Sequence, residues 1–120
     1  MEDRTSGPWG EERAARYLRL RGWHILERNY STRLGEIDLI ASRRGILAFI
    51  EVKTRKNAMR GEAREVVTAA KQQRIIATAS CYMAEHGTEL QPRFDVIEVY
   101  APDGVETRFP RINHLENAFE

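Results

Sequence analysis

Two short apolar-rich stretches with a period of two, Glu36–Ala41 (EIDLIA) and Ile46–Lys53 (ILAFIEVK), flank Ser42-Arg43-Arg44-Gly45. Alternation broken by a glycine-containing polar turn is the pattern of a β-hairpin. Side chains two apart on a strand share a face, so Glu51 and Lys53 point the same way. Asp38 joins them only if the turn holds an even number of residues. A four-residue loop over Ser42–Gly45 pairs Asp38 with Phe49 and leaves Glu51 as its diagonal neighbour, roughly 7–8 Å away. A two-residue loop, Arg43-Arg44, has the same parity but puts two non-glycine residues at positive φ. The four-residue loop is the expectation.

One face of this hairpin then reads Glu36, Asp38, Ile40 and Leu47, Phe49, Glu51, Lys53. It is apolar near the turn and charged at the far end. The other face, Ile37, Leu39, Ile46, Ile50 and Val52, is apolar throughout. A sheet covered on both sides is predicted to open into a polar pocket at one end, which is either a site or an exposed ion-pair cluster.

Two acids and a lysine in one pocket suit one chemistry in particular. Magnesium takes oxygen ligands, commonly one or two carboxylates with waters and phosphate oxygens. Such an ion acidifies a water and neutralises charge developing on a phosphoryl group. A lysine beside it can hold the attacking water or stabilise the transition state. Asp38, Glu51 and Lys53 therefore fit phosphodiester hydrolysis. An isolated ExK tripeptide carries little weight; Asp38 across the predicted hairpin is what raises it.

The rest of the chain surrounds this hairpin. Pro8 to Arg21 reads as a helix with Glu11, Ala14, Ala15 and Leu18 on one stripe, Ser6 as N-cap and Gly22 as stop. Trp23–Tyr30 reads as a strand. Glu62 to His86 reads as a long helix, its apolar positions including Val66, Ala69, Ala70, Ile76, Ala77 and Ala79, with Gly87 ending it. Phe94–Tyr100 is a further strand, Ala101–Gly104 a turn, and Val105–Phe109 a last short strand. The order of helix, strands, helix, strands predicts an α/β or α+β sandwich rather than a Rossmann repeat. With 120 residues and no linker-like segment, one domain spanning 1–120 is expected.

The lone Cys81 excludes an intramolecular disulfide and a cysteine zinc cage. No apolar run approaches the roughly 18 residues of a membrane span. The polar N-terminus has no apolar signal segment. Together these predict a cytoplasmic protein. Net charge is only +1, but between Ser42 and Arg60 six basic residues (Arg43, Arg44, Lys53, Arg55, Lys56, Arg60) face one acid, Glu51. Such a patch is compatible with phosphate binding, and equally with a solvated loop.

GEIDLIA (Gly35–Ala41) followed by FIEVKTR (Phe49–Arg55) closely resembles the YraN-type bacterial family, as do GEERAARYLRLRGWHILERNY, EAREVVTAAKQQRI, RFDVIEV and INHLENAF. That family is similar to the PD-(D/E)xK nuclease superfamily, which includes Holliday-junction resolvases and restriction endonucleases. The resemblance implies a restriction-endonuclease-like αβββαβ core, a central mixed sheet flanked by helices. It implies Asp38, Glu51 and the Val52 carbonyl as ligands of Mg2+ or Mn2+, Lys53 as the catalytic lysine, and Glu11 of the first helix completing the site. It also implies polar residues of the second helix, Lys71 and Gln72, facing the site, and a possible homodimer. Glu36 and Asp95 are weaker candidates, read chiefly as a rim residue and a structural one. His24, His86 and His114 lack metal-ligand spacing; Trp9, Trp23 and Tyr30 could stack on bases but fit a core better.

Two functions follow as expectations. One is a metal-dependent nuclease acting on DNA or RNA, on branched or single-stranded structures. The other is a non-catalytic nucleic-acid-binding protein that keeps the nuclease fold. A protein-binding adaptor is a weaker third.

Overall fold

The computed structural model describes residues 6–56 and 67–119. Helix α1 (Ser6–Leu20) comes first, and Ala14, Ala15 and Leu18 are its fully buried stripe, at the spacing of successive turns. Its end is closed by the Trp23 and Gly22 amides bonding back to the Leu18 and Arg19 carbonyls, with Gly22 at φ 88°. Strands β1 (His24–Thr32), β2 (Gly35–Arg43) and β3 (Ile46–Arg55) then form an antiparallel meander. Helix α2 (Ala69–His86) crosses over to β4 (Gln91–Tyr100), which runs parallel to β3. A 3-10 turn (Gly104–Glu106) leads to β5 (Arg111–Leu115), antiparallel to β4.

The result is one five-stranded mixed sheet in the order β1-β2-β3-β4-β5, with a helix packed on each face. On the α1 side Leu39, Ala41, Ala48, Ile50, Ile97 and Val99 meet Ala14, Ala15 and Leu18. On the α2 side Ile40, Leu47, Phe49, Phe94 and Val96 meet Ile75, Ala79 and Tyr82. Burial of both faces explains why β3 and β4 read as almost continuous apolar runs. Among the described residues no helix is long and apolar enough to cross a membrane.

Four sequence expectations are corrected. The β2–β3 turn is not the four-residue loop Ser42–Gly45 but the two-residue loop Arg44-Gly45, since Arg43 pairs with Ile46. Both turn residues take positive φ, 49° and 82°, which fits the twist of a tight hairpin and needs only one non-glycine residue there. The register therefore moves by two, an even number, and Leu39, Ile40, Leu47, Phe49 and Ile50 keep their predicted faces. Gly35 and Ile37 instead lie toward α2 while Leu39 packs on the α1 side, so alternation along β2 breaks beside Asp38. Helix α2 begins at Ala69 rather than Glu62, because Thr68 is an extended N-cap whose hydroxyl accepts from the Lys71 amide. Its buried face is Ile75, Thr78, Ala79 and Tyr82, with Ala69 and Ala70 exposed; Glu62 and Val66 lie outside the described residues. Gly87 does end it, at φ 56° with its amide on the Met83 carbonyl. Finally, Val105–Phe109 is not a strand: the 3-10 turn occupies its start, and β5 follows at Arg111–Leu115.

Candidate active site

The ladder between β2 and β3 ends at Leu39–Ile50. Beyond that pair β2 continues beside β1 down to Gly35, and β3 continues beside β4 up to Arg55. The two central strands thus part company just where Asp38 and Glu51 lie, and continuing the register sets these residues opposite each other. In place of a ladder bond, the Val52 amide donates to Asp38 Oδ2 at 2.8 Å. The site is a fork in the sheet, with a carboxylate on each arm.

Glu51 is buried, 5% exposed, and two lysines approach the same oxygen. Lys53 Nζ stands 3.3 Å from Glu51 Oε2, and Lys71 Nζ stands 2.5 Å from it. The Thr68 cap positions Lys71 in the first turn of α2, where its side chain reaches the fork. Gln72 is turned to its own loop, its amide donating to the Val67 carbonyl at 3.0 Å. Burial lifts the Asp38 carboxyl to about 7; Glu51 and Glu11 add to that rise, while the Val52 amide and Lys71 oppose it. Burial lowers the Lys71 ammonium, but Glu51 outweighs it and leaves the net value raised. Burial likewise raises Glu11, whose side chain bonds Asn29 and feels Glu36, Arg28 and Glu51. Glu12, one residue on, instead pairs with Arg28 at 2.9 Å and turns away from the fork. Glu36 is exposed at the rim.

The basic residues clustered in sequence do not cluster in space. Arg43 donates to the Arg21 carbonyl and stacks over Trp23, and Arg44 is at the hairpin tip. Lys53, Arg55 and Lys56 lie at the opposite end of β3, roughly 30 Å away at about 3.3 Å per residue. Arg55 points inward, its Nε 3.5 Å from Glu98 Oε2. Glu98 is 1% exposed and accepts from Tyr100 and Asn113 through Oε1. Lys56 lines a cleft shared with Asp103 and Glu106. Arg60 lies outside the described residues.

Asp95 pairs with Ile50, next to Glu51, but its side chain takes the opposite, α1 face of the sheet. It is fully buried, bonded twice by Arg93 and once each by His114 Nε2 and the Asn117 amide. His114 in turn packs against Tyr17 and Trp23. Trp23 and Tyr30 belong to the two cores, and Trp9 packs on the α1-side one. Lys71 against Glu51 is the relationship that residue spacing alone could not supply, because the two are joined only by the crossover.

A divalent ion is the group this fork suggests. Asp38, Glu51 and the neighbouring Val52 backbone offer hard oxygen donors, and the Asp38 carboxyl is raised chiefly by burial and then by the Glu51 charge beside it. Among the described residues no group of three or more His, Cys, Asp or Glu side chains gathers for a metal. Two carboxylates and a backbone carbonyl are oxygen donors of the kind that magnesium or manganese takes, alongside waters and phosphate oxygens.

The fold and site together define a mixed α/β protein with an acid–acid–lysine cluster in a forked sheet. The family model described as "Uncharacterised protein family UPF0102" matches residues 10–99, and the chain belongs to that family. It is 50% identical over 118 residues to a UPF0102 protein of Symbiobacterium thermophilum, covering 97% of each chain. It is 43% identical over 120 residues to one of Caldanaerobacter subterraneus, covering 99% of this chain and 98% of that one. A Clostridioides difficile relative is 42% identical over 120 residues, covering 99% and 100%.

Proposed function

We propose that this chain is a nuclease-like protein of the PD-(D/E)xK kind, with a restriction-endonuclease-like core, that hydrolyses phosphodiester bonds in DNA or RNA with Mg2+ or Mn2+. The observation that carries this reading is the placement of Asp38 and Glu51 on the two arms of one strand fork, with Lys53 and Lys71 both on Glu51. Asp38, Glu51 and the Val52 carbonyl would hold the ion. When bound, it supplies charge that polarises a phosphoryl oxygen and acidifies the attacking water. The chain's own groups do the rest. The Val52 amide fixes the Asp38 carboxylate, Lys53 holds the water or the developing negative charge, and Lys71 is the second cation within reach of a phosphate. Glu11 supplies a further acid from α1.

A second reading rests on one specific observation. Both lysines occupy Glu51, which leaves that carboxylate compensated without a metal. A nucleic-acid-binding module that keeps the fold would look the same.

A cleavage panel separates them: duplex, single-stranded, flapped and four-way DNA plus RNA, with magnesium or manganese. In the nuclease reading Lys53→Ala lowers the cleavage rate by roughly 10²–10⁴ while substrate binding changes little. Lys53→Arg keeps the charge but not the ability to shed a proton. If wild-type protein cuts nothing that Lys53→Ala does not also cut, the binding-module reading stands instead.

A further inference from the structure

On α1 a second stripe runs beside the buried one. Glu11, Ala14, Ala15 and Leu18 face the sheet or the fork; Arg13, Arg16, Tyr17 and Leu20 repeat the same spacing two residues later. Arg16 and Leu20 are exposed, Arg13 stacks over Trp9, and half-buried Tyr17 rests against His114 and the α1-side core. An amphipathic helix ordinarily puts a solvated mix of both charges there. This stripe carries arginines and no acid. The segment before β5 rises beside it and brings Arg108, Phe109 and Pro110 to the same shallow cleft, of about 240 Å³. Phe109 is 88% exposed and Leu20 78%, the two most exposed large apolar side chains among the described residues. Arg21 stacks its guanidinium over the Tyr17 ring at 3.9 Å and closes the rim.

Two features identify the occupant. First, no carboxylate lines the cleft, and Arg13, Arg16, Arg21 and Arg108 make no ion pair among the described residues. By contrast Arg19 and Arg28, nearby but outside the cleft, both pair with Glu12. Four uncompensated arginines call for an anionic partner, and their spread over a helix face and a loop suits a chain of phosphates better than a single anion. Second, an aromatic ring standing free among arginines is the arrangement on which an unpaired base stacks. The cleft is smaller than the roughly 300–1,000 Å³ of enclosed small-molecule sites, which favours a polymer lying across it.

We infer that the α1–β5 face, formed by Arg13, Arg16, Tyr17, Arg108 and Phe109, binds single-stranded nucleic acid, with phosphates on the arginines and a base on Phe109. The face lies across α1 from Glu11 and the strand fork. It rests on the nucleic-acid reading above only for the kind of polymer, and needs neither a metal nor cleavage.

The test is fluorescence anisotropy with a labelled 20-nucleotide oligothymidylate and with a 20-base-pair duplex, in EDTA, across a salt series. Wild type should bind the single strand more tightly than the duplex. Phe109→Ala should weaken single-strand binding on the order of ten-fold and remove that preference, and Phe109→Trp should restore it. Arg13→Gln with Arg16→Gln should reduce the log–log salt slope by about 1.4, the share of two contacts to a single strand. Arg16 and Phe109 are exposed and Arg13 is half-buried over Trp9, so matching thermal melts would show that the variants fold. Unchanged single-strand affinity in both variants overturns the inference, as does a duplex preference indifferent to Phe109. So does a change in sedimentation without a change in oligonucleotide affinity, which would make the face a contact between copies. Loss of cleavage with these affinities intact would instead count against the nuclease reading alone.

Discussion

Lys71 Nζ lies 2.5 Å from Glu51 Oε2, so the first turn of α2 supplies a charge to a carboxylate on the central strand β3. The contact ties the crossover helix to the strand fork and helps hold down the Asp38 carboxyl next to it. Replacing Lys71 by alanine should therefore push Asp38 above its value of about 7. Carboxyl-carbon NMR across a pH titration reads this directly. An unmoved Asp38 would show that the charge of Lys71 does not reach it.

Asp38 should also make stability depend on pH in an unusual direction for an acid. Its folded value of about 7 lies above the ordinary carboxylate range, so the neutral acid is the form the fold favours. Its stabilising contribution is complete below about pH 4 and is lost as pH rises through 7. Asp38→Asn keeps an acceptor for the Val52 amide and removes the charge. It should stabilise the metal-free protein by up to about 4 kcal/mol at pH 8, at about 1.4 kcal/mol per pKa unit, and by little at pH 4. Thermal melts of the two proteins at both pH values make the comparison; a gap that does not widen with pH would contradict it.

Manganese should do for wild type what the asparagine does for the variant. A ligand bound only by the folded state at a hundred times its Kd stabilises by about 2.7 kcal/mol. That gain should be absent from Asp38→Asn. It should also fade in wild type as pH falls below about 7, because the ion competes with the Asp38 proton. Melting curves with and without manganese at pH 6 and 8 would show this, and equal shifts in both proteins would remove the site.

The buried Asp95 cluster should behave in the opposite sense. Burial alone would raise this carboxyl, but bonds from His114, Arg93 and the Asn117 amide together leave it below its usual range. Its contribution is present above the unfolded value of about 3.9 and is lost as pH falls through the lower folded value. Asp95→Ala leaves Arg93 and His114 without their shared partner, and breaking a buried pair of this kind costs about 3–5 kcal/mol. Urea denaturation at pH 7 measures the loss. Cleavage by the folded fraction should not change, since Asp95 takes the α1 face of β4 while Glu51 reaches Lys71 on the α2 face.

Much of the fold was legible because it rests on local rules. The period-two runs marked β2 and β3, the Ala14–Ala15–Leu18 stripe marked α1, and Gly22 and Gly87 marked helix ends through positive φ. The two-residue difference in the turn is even, so Leu39, Ile40, Phe49 and Ile50 take the faces that parity predicts. Asp38 does not follow from parity, because alternation breaks between Ile37 and Leu39; the fork sets it beside Val52. What local rules could not decide is where strands stop pairing. The fork past Leu39–Ile50, the capture of Glu51 by Lys71, and the scattering of the basic patch to opposite ends of β3 depend on neighbours distant in sequence. Arg55 shows the limit most plainly. In sequence it is one more cation beside Lys53, and only the packed sheet reveals that Glu98, 43 residues later, draws it inward. Spacing along the chain sets which face a side chain takes where a strand stays regular, but its partner there is chosen by the strand or helix that tertiary packing lays beside it.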